Sequence, residues 1–105
     1  MSLLEESKTY KPFQYPWAVD LVKKHEEIHW VEDEAELSED VQDWRTKLNE
    51  EEKEFITHLL RLFTQSDVQV GANYHDFLIP KFKNNEIRNM LASFANREGV
   101  HQRAY

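Results

Sequence analysis

The chain has 105 residues, enough for one small domain. Its formal net charge is −7, which excludes nucleic-acid binding through a basic surface, and it has no cysteine, which excludes a disulfide framework and a thiolate metal site. No apolar run is long enough for a signal peptide or a membrane span, so a cytoplasmic protein with neither a nucleic-acid nor a membrane partner is expected.

Only two glycines and three prolines occur, and the periodic segments are rich in Leu, Glu, Lys and Arg, which predicts an all-α domain. Residues 1–16 carry Pro12 and Pro16 with Lys11, Phe13 and Tyr15 around them, and read as an extended N-terminal arm that packs aromatics onto a neighbour. A helix is predicted over 17–29, with Trp17, Leu21 and Ile28 as apolar anchors. Residues 30–37 are acidic (Glu32, Asp33, Glu34, Glu36) and read as a solvated loop, with Trp30 and Trp44 anchoring the loop and the next helix. Ser38 is placed to cap a short helix that runs to about Trp44.

Asn49 with Glu50, Glu51 and Glu52 is a strong helix start, since Asn49 can cap and Glu52 stands at the capping-box position. That helix should run from about 50 to 78 and end near Pro80. Asn84 or Asn85 then caps the last helix, with Glu86 in its first turn. The helical pattern reaches Tyr105 with no Gly, Asn or Pro to stop it, so the last helix is expected to be incomplete or to continue in another polypeptide.

Two helices aim acid at their own core side. Ile56, Leu59, Leu60, Phe63, Asp67 and Val70 form a stripe at helical spacing with Asp67 inside it. Leu91, Phe94 and Ala95 begin a second stripe that runs into Glu98, His101 and Tyr105, at i, i+3 and i+7 on one face. A buried carboxylate is costly unless compensated, and a metal ion is a common compensator. Helix-bundle dinuclear sites are built from inward carboxylates and Glu-x-x-His motifs of this kind. Two carboxylates and a neutral imidazole suit iron or manganese, with zinc as an option, while a metal-free Asp–His pair uses the same residues. Tyr105, one turn beyond His101, is either an ordinary core tyrosine or a phenol oxidised to a radical beside a redox metal. His25-Glu26-Glu27-Ile28-His29 formally matches the H-E-x-x-H zinc-protease motif, but the segment is highly charged and no third ligand is evident. His58 and His75 read as surface or packing residues.

These residues together resemble the small, radical-generating subunit of class I ribonucleotide reductase. The resemblance runs through Lys11-Pro12-Phe13, Ile28-His29-Trp30, the Asp40-to-Trp44 stretch, Phe63-Thr64-Gln65-Ser66-Asp67 and Phe94-Ala95-Asn96-Arg97-Glu98-Gly99-Val100-His101-Gln102-Arg103-Ala104-Tyr105. It implies a ferritin-like helical bundle over 17–105, incomplete in this chain and completed by another chain, and a dinuclear iron or manganese centre. Asp67, Glu98 and His101 match the ligands of the first metal, with Glu98 bridging to the second. Tyr105 matches the stored tyrosyl radical and Trp30 the tryptophan of the electron relay. The family's second ligand set and its C-terminal tail have no counterpart here.

The resemblance therefore implies the N-terminal piece of a split or truncated small subunit, inactive alone. Its implied partners are a complementary C-terminal small-subunit chain, the reductase large subunit and a second copy of the small subunit. The implied role is reduction of ribonucleotides to deoxyribonucleotides for DNA replication. The alternative is a homodimeric, non-catalytic metal-binding bundle in which two Glu-x-x-His motifs face each other. An inert truncation product, partly unfolded, is a third reading.

Overall fold

The computed structural model describes residues 2–105. In chain order it contains α1 (Pro16–Glu27), a single 3-10 turn (Glu32–Glu34), α2 (Ser38–Thr46), α3 (Glu50–Asn73), a π-helical turn (Tyr74–Leu78), α4 (Ile79–Lys81) and α5 (Asn85–Ala104). The described residues are thus all-helical and hold no strand, as the composition predicts, and no helix is long and apolar enough to cross a membrane.

Pro16 opens α1 at a position where the missing N–H costs nothing. The helix stops at Glu27, two residues earlier than expected. Trp17 and Ile28 do not anchor it: they are 53% and 70% exposed, and α1 buries the small Ala18 instead. Ser38 does not cap α2. Its hydroxyl and its N–H both donate to the Glu36 carboxylate, which makes Ser38 the first residue of the helix and leaves Leu37 as a cap without a side-chain bond. No residue of α2 is buried, so Trp44 is a partly exposed anchor at most.

At α3 the capping box forms as predicted, with Glu52 N–H donating to Asn49 Oδ1 (2.8 Å) and Asn49 N–H donating to Glu52 Oε2 (2.9 Å). The helix does not run regularly to Pro80. It widens over Tyr74–Leu78, where Ile79 N–H reaches back five residues to Tyr74 O. Pro80 explains the widening, because proline offers no N–H to residue 76 and its ring would clash with that carbonyl in a regular turn.

The core lies where α1, the first half of α5 and the π turn meet. Ala18, Ile87, Met90 and Leu91 form its centre, with Tyr15, Val22, Tyr74, Leu78, Phe82 and Phe94 packed around them. The N-terminal arm folds back onto the start of α5 in the same chain. Leu3 O accepts from Lys83 N–H (3.0 Å) and Asn84 N–H (3.2 Å), Asn85 N–H donates to Ser7 Oγ (2.9 Å), and Gln14 N–H donates to Glu86 Oε1 (2.7 Å). Asn84, rather than Asn85, caps α5 by accepting from Ile87 N–H.

The second half of α3 runs antiparallel to the second half of α5. Phe63 meets Tyr105, Asp67 meets Gln102, Gly71 meets Glu98 and Gln102, and Tyr74 meets Phe94. Gly71 leaves little room opposite α5: a Cβ there would stand 3.3 Å from Gln102 Nε2 and 3.6 Å from Glu98 Cβ. The apolar stripe of α3 is not enclosed by these residues, since Leu59 and Leu60 are each 36%, Phe63 41% and Val70 42% exposed.

Candidate metal centre

The antiparallel α3–α5 pair brings Asp67 of α3 beside Glu98 and His101 of α5. One donor atom from each lies within 4.8 Å of the others, and all three side chains are half-buried. His101 Nδ1 is 3.3 Å from Glu98 Oε2, a contact that the i, i+3 spacing on α5 makes available within one helix. Gln102 Nε2 donates to the backbone carbonyl of Asp67 (3.1 Å), which ties the third donor's main chain to the helix that carries the other two.

Two hard carboxylate oxygens and one imidazole nitrogen fit a divalent iron or manganese ion. Like-charged carboxylates this close also favour a cation between them. Three donors leave coordination positions for ligands from elsewhere. Among the described residues this is the one such group of three.

Two further aromatic rings touch the cluster. The Trp30 ring centroid is 6.1 Å from that of His101, and Tyr105 is 6.4 Å from His101 and 5.5 Å from Phe63. Tyr105 is half-exposed. Trp30 sits on the loop after α1, and that loop is tied to α5 by Arg103 Nε donating to Glu32 Oε1 at 2.6 Å. The hydrogen bond from Arg103 holds the Glu32 carboxyl below its ordinary range, and the same bond raises Arg103. The acidic loop is therefore not simply solvated.

The H-E-x-x-H segment builds no metal site. His25 Nδ1 is hydrogen-bonded to Ser93 Oγ (2.7 Å), and its ring stands edge-on to Phe94. Arg97 Nη2 donates to His25 O (3.3 Å) and lies 3.4 Å from His29 Nδ1, so a guanidinium stands beside His29, and neither His25 nor His29 falls in the group of three potential ligands found among the described residues. Burial, and then Arg97, push the His25 imidazole below its ordinary pKa. His58 is an exposed partner of Glu54, and His75 is exposed.

Gly71, Gln102, Glu32 and Arg103 were not singled out by sequence. One signal was available: a glycine inside a 24-residue helix, in a chain with only two, marks a close approach. The other three act across elements far apart in sequence, where periodicity carries no information.

The sequence profile of the family "Ribonucleotide reductase, small chain" matches residues 7–105. The chain is 44% identical over 105 residues to the "Probable ribonucleoside-diphosphate reductase small subunit" of Invertebrate iridescent virus 6, covering all of this chain and 29% of that one. It is 41% identical over 105 residues to the corresponding protein of Invertebrate iridescent virus 3, again over the whole chain and 28% of the relative. Against the "Ribonucleoside-diphosphate reductase small chain" of Acanthamoeba polyphaga mimivirus it is 30% identical over 105 residues, all of this chain and 25% of the relative. The chain thus spans less than a third of the length of these relatives and matches them over all of its own. With an all-helical architecture consistent with a ferritin-like fold, this chain belongs to the ribonucleotide reductase small chain family.

Proposed function

We propose that this chain forms the N-terminal part of the radical-generating small subunit of a class I ribonucleotide reductase. The observation that carries the reading is the convergence of Asp67 of α3 with Glu98 and His101 of α5 to within 4.8 Å. In this reading residues 1–16 are an arm and residues 17–105 the first part of a ferritin-like dimetal-carboxylate domain. Asp67, Glu98 and His101 hold one metal of a dinuclear iron or manganese pair, and Glu98 also reaches the second. The remaining ligands come from a complementary C-terminal segment outside these 105 residues, as a continuation or as a separate chain.

When bound, the dinuclear metal supplies an oxidant able to take one electron from a phenol. The chain's own residues do the rest. Tyr105, whose ring stands 6.4 Å from that of His101, is the phenol that would be oxidised and would store the radical. His101 orients on the cluster through Glu98 and presents its ring to Trp30. Trp30 then passes single electrons between the cluster and the large subunit, where ribonucleotides are reduced. A second copy of the small subunit completes the assembly.

Native mass spectrometry of the chain isolated from its source, with metal analysis of each species, tests this. About two metals per assembled subunit, with the C-terminal segment present as continuation or partner, is the expected result. A stable monomer of these 105 residues that already binds two metals sinks the reading. A homodimer with one metal per chain and no tyrosyl radical after oxidation replaces it with the self-paired metal bundle, for which the open stripe of α3 offers a surface.

A further inference from the structure

We infer that Glu32 and Arg103 are positioning residues: their ion pair pins the loop that carries Trp30 and so holds the Trp30 ring against His101. The consequence for electron transfer rests on the reading of Trp30 as a relay. The pinning itself rests on geometry.

Trp30 lies outside regular structure, between the end of α1 and the 3-10 turn, in a segment type that is ordinarily mobile. Its ring nevertheless meets the His101 ring at 6.1 Å. Glu32 follows Trp30 by two residues, and Arg103 follows His101 by two, so the ion pair and the ring contact join the same short stretch of loop to the same turn of α5. The loop is itself stiffened locally, since Val31 N–H donates to Glu34 Oε2 at 2.6 Å and Glu34 N–H to Val31 O at 3.0 Å. These bonds couple Trp30's neighbour Val31 to the turn that carries Glu32, so a bond from α5 to Glu32 restrains the stretch next to Trp30.

Arg97, one and a half turns earlier on α5, reaches His29 Nδ1 at 3.4 Å on the other flank of Trp30, a longer and weaker contact. The Glu32–Arg103 bond is the short, charge-assisted one. Glu32 is also drawn in far enough that its second oxygen, Oε2, is out of water with no partner among the described residues, a penalty that a freely solvated loop carboxylate would avoid by rotating outward.

The test uses the assembled subunit labelled with 5-fluorotryptophan, in which the fluorine line that vanishes in Trp30→Phe is the Trp30 line. In metal-free protein, Arg103→Gln and Glu32→Gln should each move and broaden that line toward the position of the exposed Trp17, leaving the Trp17 and Trp44 lines in place. In loaded protein, turnover per tyrosyl radical should fall severalfold in both. The charge-swapped double variant, Glu32→Arg with Arg103→Glu, should restore the line and the turnover. A Trp30 line unmoved by Arg103→Gln, or a double variant as impaired as the singles, overturns the inference. Full turnover in Trp30→Phe instead overturns the relay reading, and the line shifts still decide the pinning.

Discussion

Asp67, Glu98, His101 and Tyr105 stood out in the sequence for one physical reason: each is a polar group where helical periodicity calls for an apolar one. The three ligand candidates do meet in space. The Trp30–His101 contact was not legible, because nothing in local spacing places a loop tryptophan over a helix residue about 70 positions away. Removing either carboxylate should cost the metal: Asp67→Ala or Glu98→Ala in the assembled subunit is expected to lower bound metal by at least one ion per site pair, measured by elemental analysis. Tyr105→Phe keeps the ring against Phe63 and His101 and removes only the hydroxyl. It should leave metal content and helicity unchanged and abolish any tyrosyl signal in electron paramagnetic resonance.

A buried carboxylate away from that cluster contributes to the pH dependence of stability. Burial, the largest single influence on Glu86, pushes its carboxyl up. The N–H groups of Glu86 itself, Gln14 and Tyr15, with the Asn84 side chain, together outweigh it, so the net position is below the unfolded value of 4.5. A carboxyl depressed by folding contributes stability above the unfolded value and loses it as pH falls through the folded one. Denaturation followed from neutral pH downward should therefore show stability declining below about pH 4.5, and the Glu86→Gln variant should show a shallower decline over the same window.

At the scale of elements, starts were more legible than ends or contacts. Asn49 caps as its neighbours in sequence foretold, and of the two candidates Asn84 and Asn85 it is Asn84 that caps the last helix. Ser38 does not, because Glu36, two residues upstream, captures its hydroxyl, and a cap rule that looks only downstream misses this. The π turn over Tyr74–Leu78 is a response to Pro80, which ordinary rules read as a stop. The arm was legible as irregular but not in its destination, since its bonds to Asn84, Asn85 and Glu86 span some 70 to 80 positions.

The two caps differ in what else they hold. Asn49 is exposed and makes only its box, whereas Asn84 is fully buried and its amide also donates to Ser7 Oγ (3.2 Å) and Gln14 Oε1 (3.3 Å). Losing an exposed cap costs about 1 kcal/mol. Asn49→Ala should cost that much, and Asn84→Ala about 2–3 kcal/mol, because arm groups lose their partner as well. Urea unfolding midpoints of the two variants compared side by side check the ranking.

The whole molecule is long and thin, 59 × 26 × 15 Å. Its accessible surface is 7881 Å², against about 6,200 Å² for a compact monomer of this mass. Among the exposed large apolar side chains are Phe55 (67% exposed), Leu62 (61%), Phe63 and Val70 along α3, and Phe77 (68%) on the π turn. Patches of this kind mark surfaces that bind other protein or aggregate. The 105 residues alone should therefore bind a hydrophobic dye and self-associate in gel filtration, and the complementary segment should suppress both. Dye binding unchanged by that segment would place the contact elsewhere.

The three donors fall within residues 67–101, on two helices joined by a short bend. Time enters here. At a synthesis rate of about 5–20 residues per second, a growing polypeptide that carries the remaining ligands tens of residues further on would hold these three donors on the order of seconds before it held the rest. On the proposed reading, the donors of one metal position would therefore be made before those of the other, and loading of the two need not be simultaneous.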